Sequence, residues 1–518
     1  MDRFKYLFAL SLSTTALLSG CVIGPSYKRP DISLPEQFLA ESATTTNTKA
    51  WFDGFNDPIL TALLHTAATN NLTILQTMQR VRASRATLSG AKADYWPNVG
   101  FSASASKTKS FDPNATSERI GGGFDASWEP DLFGKKRRTV EAATAELEAT
   151  ELSLADAKLT LDAEIAAEYI NLRLLQLQYQ IATNNLALQE SSYNIAKAKY
   201  EAGLSSELDS LSSESQMHAT KATLPTAKAA IESCIRRIET LLALNPGKLD
   251  ETLTPVKAIP VAPDVALTVP SELLRRRPDI RKAEKNYAAA LARIGISQAA
   301  YYPTVSIGVN ASLSSASFSD WGEAVKTIQA GPSIKWDILN FGRTKAQIEK
   351  AKATAEEAAL VYRETVLKAL HEVETEATSL KSDIERLQPL KKARDTQKRA
   401  LTLAISMYEK DLGEYINVKS IELMTRSIEY ALLNHSKTAD VLNIRMRICS
   451  TAEFSEYRDR FYTLMMLADS TVQGQHFVTI LVQDFLIVIK LLIITENRSP
   501  LGKLHIITVT QETGIGTV

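Results

Sequence analysis

The sequence predicts a mainly α-helical chain carrying a minority of membrane-spanning β-strands, built twice over. Three observations lead there. First, the chain repeats itself: Tyr95-Trp96-Pro97-Asn98-Val99 returns as Tyr301-Tyr302-Pro303-Thr304-Val305, so the two prolines lie 303 − 97 = 206 residues apart. Trp128 followed by Phe133-Gly134-Lys135 returns as Trp336 followed by Phe341-Gly342-Arg343, and Tyr200-Glu201 returns as Tyr408-Glu409, both at a shift of 208. Units of about 200 residues are too long for a solenoid repeat. Second, residues 135–202 contain neither proline nor glycine over 68 positions, which at 1.5 Å per residue is about 100 Å of helix. Third, each half holds a pair of short stretches in which apolar residues alternate with Gly, Ser and Thr, the period of a strand with one greasy face.

The N-terminus precedes the fold. Arg3 and Lys5 lead into an apolar run from Tyr6 to Leu18, too short for a permanent bilayer helix and suited to an export signal over residues 1–20. The run ends in Leu18-Ser19-Gly20-Cys21. Small residues before a cysteine suit lipoprotein processing, which makes Cys21 the expected lipid-modified first residue of the mature chain, carrying diacylglycerol and an N-acyl chain. The bland alternative is an ordinary signal peptide with an incidental cysteine. Val22 follows where an aspartate would oppose transfer to the outer membrane. One lipid chain anchors weakly, so a second membrane element is expected beside it. Residues 21–51 then form an extended N-terminal segment.

The first repeat, 52–247, opens with a helical pattern from Asp57 to Tyr95, started by Asn56-Asp57-Pro58 and stopped by Pro97. Val99, Phe101, Ala103 and Ala105 alternate next, then Phe124, Ala126 and Trp128, around a polar loop at about Thr108 to Arg119. A long helix and a return helix follow, joined by a turn at Tyr200-Glu201-Ala202-Gly203. After a proline-rich linker at 248–270, the second repeat (271–452) runs the same course. Val305, Ile307, Val309, Ala311 and Leu313 alternate, then Ile334, Trp336 and Ile338. Each stretch approaches the ~9–11 residues that a tilted strand needs to cross a bilayer. The second long helix, from Arg343 to about Asp411, is broken at most by Pro389. It carries Ile348, Ala355, Tyr362 and Ala369 seven apart, and Ala359, Val366, Val373 and Leu380 seven apart and offset by four. That is coiled-coil spacing with small residues, which brings neighbouring helices close. Four strands cannot close a barrel, and open strand edges are not tolerated in lipid, so the chain must associate.

Residues 453–518 have no counterpart in the repeat. They include the apolar run Phe477 to Ile494, interrupted by Asp484 and Lys490. A poor membrane segment, a β-prone strand pair and a non-native terminus from a frame change are the three readings. The abrupt stop of the heptad favours the third.

Composition narrows the function. Lys plus Arg and Asp plus Glu both number 59, so no net field recruits nucleic acid. Arg275-Arg276-Arg277 before Pro278-Asp279 reads as a local ion-pair cluster. Six scattered histidines with no HExxH, CxxC or Gly-x-Ser-x-Gly give no catalytic or metal centre. Cys234 and Cys449 lie in helical patterns as small buried hydrophobes, with a periplasmic disulfide between them as the alternative.

Several motifs resemble one family in order. Gly24-Pro25-Ser26-Tyr27-Lys28-Arg29-Pro30, Trp51-Phe52 with Phe55-Asn56-Asp57-Pro58, Trp128-Glu129-Pro130-Asp131-Leu132-Phe133-Gly134 and Arg276-Arg277-Pro278-Asp279-Ile280 carry the likeness. The chain resembles the outer-membrane factors of tripartite efflux systems, the TolC type, and most closely their NodT-type lipoprotein branch, over about residues 21–450. The resemblance implies a homotrimer with a shared twelve-stranded β-barrel in the outer membrane of a Gram-negative bacterium and a periplasmic α-barrel. It implies a passive exit duct for drug-like small molecules, served by a periplasmic adaptor and an inner-membrane transporter of the RND type, with no cofactor beyond the lipid. It implies a constriction near the second hairpin tip. Asn417 and Ser420 stand where aspartates are common in the family, so Glu414 or Asp209 are the carboxylates left to form a ring; solvated tip residues with no gating part are the alternative. The tips themselves, with Tyr200, Gly203 and Leu204 in one repeat and Tyr408, Asp411 and Gly413 in the other, are the expected adaptor-docking residues. Asp411 where the first repeat has Gly203 leaves the second tip's conformation open. Competing readings are the same conduit used for protein secretion or metal export, a lipid-tethered scaffold that conducts nothing, and a chain whose tail blocks assembly.

Overall fold

The computed structural model describes residues 22–30, 35, 55–111, 114–260, 276–316, 324–410 and 412–450, with backbone alone at 114, 115 and 436–450. The export signal, Cys21, Asp411, the side chain of Cys449 and the tail from 453 lie outside the described residues.

The first repeat begins with α1 (Pro58–Asn70) and α2 (Leu72–Ala93), where the periodicity predicts one helix. The chain divides at Asn71, whose φ of −59° and ψ of 126° are not helical. The Asn71 side chain makes the break: its oxygen accepts from the Thr73 and Ile74 backbone N–H groups while its amide donates to the Leu241 carbonyl at 2.7 Å. An asparagine cap thus outcompetes helix continuation because it also ties the helix end to a distant element. Asp57 caps α1 in the same way, accepting from Ile59 and Leu60.

Strands β1 (Asn98–Phe111) and β2 (Asn114–Trp128) follow, then α3 (Lys135–Glu201), α4 (Glu207–Leu241) and the short α5 (Asp250–Leu253). The second repeat supplies α6 (Pro278–Ala299), β3 (Thr304–Ser315), β4 (Val325–Lys335), α7 (Arg343–Glu409) and α8 (Tyr415–Ser450). Helices α3 and α7 each run 67 residues. Pro389 does not interrupt α7, and Pro225 lies within α4. Along α7 the buried residues are Ile348, Ala355, Tyr362, Val366, Ala369, Val373 and Ala377, the heptad stripe of the sequence. Helices α2 and α6 pack on α3, α6 also packs on α7, and each long helix packs on its return helix.

The four strands form one antiparallel sheet in the order β1-β2-β3-β4. Pairing of Phe101 with Phe124, Phe124 with Ala311, and Ala311 with Ile328 fixes one face across all four strands. On that face stand Val99, Phe101, Ile120, Phe124, Trp128, Ile307, Val309, Leu313, Ile328 and Ile334. The opposite face is Ser, Thr, Gly, Asn and Gln, with Arg119 and Asp125. The apolar side chains have no protein cover: Phe101, Phe124 and Ile334 are 65%, 55% and 71% exposed. The expected polar loop at 108–119 is mostly strand. Lys107 pairs with Glu118 across it at 2.7 Å, and the Lys109 ammonium lies 5.5 Å from the Phe111 ring, so charged residues extend the hairpin in register.

The largest core is in the first repeat, where Leu60, Leu63, Leu64 and Ile74 meet Ile165, Tyr169, Ile170, Leu172, Ile235 and Ile238. Fully buried Arg173 donates to the Gln176 side chain, the Pro255 carbonyl and the Tyr169 hydroxyl, and Tyr169 donates to Asp57 at 2.7 Å. This network fastens α1, α3 and the start of the linker together. Cys234 belongs to the same core as a free thiol donating to the Glu168 carbonyl at 3.4 Å, and burial pushes its pKa up to about 12. The Arg277 side chain pairs with Asp279 and Glu372, as a local ion-pair cluster should.

Candidate functional site: a membrane sheet joined to helical hairpin tips

The sheet meets the long helices at a junction that the sequence repeats. Trp128 donates its indole N–H to the Tyr95 carbonyl at 2.9 Å, and Trp336 donates to the Tyr301 carbonyl at 3.0 Å. Each tryptophan thus pins the end of a strand to the helix end that precedes the hairpin, with the ring at the sheet's margin, where interfacial aromatics belong. Gly134 and Gly342 then start α3 and α7 with φ of 81° and 85°, a left-handed backbone that a side chain would strain. With no side chain on its glycine cap, α3 borrows Asp131, whose carboxylate accepts from the Lys136 and Arg137 backbone N–H groups at 3.1 and 2.9 Å.

The N-terminal segment is tied to this junction. Ile23 donates its N–H to the Phe133 carbonyl, and buried Arg138 donates to the carbonyls of Ile23 and Gly24 at 3.0 and 2.8 Å. Further on, Tyr27 donates to Glu284 at 2.7 Å and Arg29 pairs with the same carboxylate at 3.4 Å. The strap therefore bridges α3 of one repeat and α6 of the other. Its motif was legible, but its partners, more than 100 residues away, were not.

At the far end of the long helices lie the tips. The first closes with the Leu204 N–H donating to the Lys199 carbonyl at 2.8 Å and the Gly203 N–H to the Tyr200 carbonyl at 2.9 Å. With Gly203 at φ 74°, this is a Schellman closure. The second tip makes the equivalent outer bond, Leu412 N–H to the Met407 carbonyl at 2.9 Å, with Asp411 in the glycine's place. Gly413 follows, packed on Met407. Tyr200, Leu204 and Leu208 are exposed in the first tip, as are Leu412 and Ile416 in the second.

The two tips are held together inside the protomer. Tyr408, Tyr415 and Val418 are buried against Ile195, with the tyrosine rings 5.8 Å apart. Lys199 donates to the Tyr408 carbonyl and places its ammonium 4.3 Å from that ring. Two ties then link α8 to α4: Lys419 donates to the Ser212 hydroxyl at 2.9 Å, and Tyr415 shares a hydrogen bond with Ser213. Burial pushes the Tyr415 phenol up to about 12. Higher up, buried Gln189 donates to Glu422 at 2.6 Å, and burial raises the Glu422 pKa against the opposing effects of Gln189 and Arg426. Of the expected constriction residues, Glu414 and Asn417 are exposed and Asp209 is half-buried. The Ser420 hydroxyl turns back to donate to the Asn417 carbonyl at 3.0 Å. Lys419 and Glu422 were missed in the sequence, where neither stands out from the other charges of a solvated helix.

This geometry combines a sheet greasy on one face and polar on the other with helices far longer than any globular domain accommodates. The sequence pattern that defines the outer membrane efflux proteins matches residues 63–243 and 269–418. The chain belongs to that family. It is similar to Nodulation protein T of Rhizobium leguminosarum bv. trifolii, 29% identical over 449 residues spanning 83% of this chain and 94% of the relative. It is also similar to the Cation efflux system protein CusC of Escherichia coli K12, 25% identical over 438 residues spanning 83% and 95%. The solved structure of the outer-membrane channel OprN superimposes with a TM-score of 0.75 at 30% identity, covering 83% of this chain and all of that one. The protein is thus an outer-membrane channel with a large periplasmic portion, sharing the α-barrel and β-barrel fold of these ducts. It serves as the exit duct of a tripartite efflux pump and is a conduit rather than an enzyme.

Proposed function

We propose that three copies of the chain close a single duct, with twelve strands in the outer membrane and the long helices in the periplasm. The observation that carries this is the sheet: four strands with apolar and polar faces fully segregated, and with β1 and β4 each presenting an edge that no other described strand covers. In lipid such edges must pair, and a barrel of about twelve strands leaves a lumen, whereas four leave none. The polar face lines that lumen and the apolar face meets lipid.

The finer assignments follow from position. Val22 lies against Gly134 at the β2–α3 junction, which supports a lipid on Cys21 reaching the inner leaflet where the strands end. The tips, through Tyr200, Gly203, Leu204, Tyr408, Asp411 and Gly413, dock a periplasmic adaptor, and the inner-membrane transporter is of the RND type. Glu414, with Asp209 beside it, supplies the carboxylates of a constriction ring, three copies around one axis. Lys419 and Tyr415 hold α8 against α4 and keep that ring narrow. A lumen of Ser, Thr, Gly, Asn and Gln favours drug-like small molecules as cargo.

The test is accumulation. Deleting the gene in its native host should raise retention of an apolar fluorescent dye, and the full-length chain should restore export. Unchanged dye retention together with heightened sensitivity to copper or silver would replace drug-like cargo with metal ions.

A further inference from the structure

The internal repeat carries more than ancestry, because it relates the two hairpins residue by residue. Adding 206 to β1 numbers and 208 to β2 numbers turns the pair Asn98↔Ser127 into Thr304↔Lys335, which is the pair observed between β3 and β4. The same shift therefore applies to strands as well as to motifs. Between the repeats, β2 pairs with β3 as Ala126↔Val309 and Asp125↔Asn310. Carried forward, β2 becomes β4 and β3 becomes β1, so these pairs become Ile334 opposite Ala103 and Ser333 opposite Ser104. No such pairing exists within the protomer, where β1 and β4 lie at opposite margins of the sheet.

The transposed register is chemically consistent. It sets Ile334 beside Ala103, both on the apolar face, and Ser333 beside Ser104, both on the polar face. A slip of one residue would reverse every side chain. The helical tips obey the same rule. Within the protomer, Tyr408 is buried against Ile195 and under Lys199. The counterparts of these three are Tyr200, Leu403 and Met407, which are 43%, 62% and 41% exposed. An aromatic ring between a leucine and a methionine is a favourable contact with no partner inside one protomer's tips.

We propose that the boundary between protomers repeats the boundary between repeats: β4 of one copy pairs antiparallel with β1 of the next, Ser333 opposite Ser104, while Tyr200 seats against Leu403 and Met407 of the neighbour's α7. The occupant of both surfaces is a second copy of this chain. The inference rests on the trimeric reading above and adds to it the register and the residues of the seam.

Full-length protein lacking Cys234 and Cys449 tests it, with Ser104→Cys and Ser333→Cys introduced together. Residues directly opposite come within disulfide reach, whereas diagonal neighbours about 7–8 Å apart do not. Mild oxidation should give covalent dimers and trimers that reductant collapses. Ser333→Cys combined with Ser102→Cys or with Ser106→Cys should give none. A native mass of three subunits with linking only in an off-register pair overturns the register and leaves the trimer standing. A native mass of one subunit overturns both. Tyr200→Cys with Met407→Cys, bridged by a short bis-maleimide, should join the same species, and a trimer that links at the strands but never at the tips overturns the helical half.

Discussion

Replacing Ala311 by arginine probes the assignment of the sheet's faces. Ala311 lies between Phe124 and Ile328 on the apolar face. It stands four residues along β3 from Ile307, which pairs with the interfacial Trp128. At about 3.3 Å per residue and a strand tilt near 40–45°, that is about 9–10 Å above the aromatic margin. The apolar band of such barrels is about 25 Å tall, so the side chain reaches close to the midplane, where an arginine costs about 2–4 kcal/mol. Three copies in one barrel bring the penalty to about 6–12 kcal/mol, comparable with the whole stability of many folded proteins. The control is its neighbour, Asn310→Arg, on the polar face, where the cost should stay within about 0.5 kcal/mol. Urea titration of both variants folded into lipid vesicles, followed by tryptophan fluorescence, measures the difference. Ala311→Arg should unfold at much lower urea than wild type, and Asn310→Arg close to it. The reverse order would mean that the faces are exchanged and the lumen assignment fails.

Other consequences can be checked separately. Cys21→Ser should abolish palmitate labelling while the strands still fold into membrane; labelling that persists would refute lipid attachment there. Lys419→Ala removes a bond of about 1 kcal/mol per protomer, so three copies should move the closed-to-open balance roughly a hundredfold, visible as longer open times in planar bilayers. Glu414→Gln should raise leak current if its carboxylate forms the ring, and unchanged single-channel traces would return it to a solvated tip residue. Burial raises the Glu422 pKa, so the folded state holds that proton more tightly than the unfolded chain does. The tip should therefore gain stability as pH falls from neutral through the raised midpoint towards the ordinary carboxylate range. Glu422→Gln should flatten that dependence in a denaturation series, and an unaltered slope would contradict it.

Much of this architecture was legible because the chain aligns with itself. Trp128 and Trp336 could be matched before any coordinates, and both prove to donate to the carbonyl of the matching tyrosine. The long helices were legible from the absence of proline and glycine over 135–202, and the α7 seam from its heptad. The failures were of two kinds. At Asn71 and at 107–118, a side chain tied to a distant or cross-strand partner overrode local pattern, turning one helix into two and a loop into strand. At the strap and the tips, the deciding contacts join Tyr27 to Glu284 and Gln189 to Glu422, residues more than 200 apart. Gln189 recurs as Gln397 and Glu422 has its earlier counterpart in Glu214. A pair of polar residues repeating at the same shift was the one signal that foretold such a contact, and it is visible only once the shift is known.

The central claim is that one chain supplies a third of a duct, and the native mass of the protein extracted from outer membranes in mild detergent tests it most directly. The account predicts three subunits, each beginning at a lipidated Cys21, dissociating only on heating in denaturant. A complex of one subunit, stable and folded in that extract, would contradict it, because four strands with two uncovered edges cannot form a pore on their own.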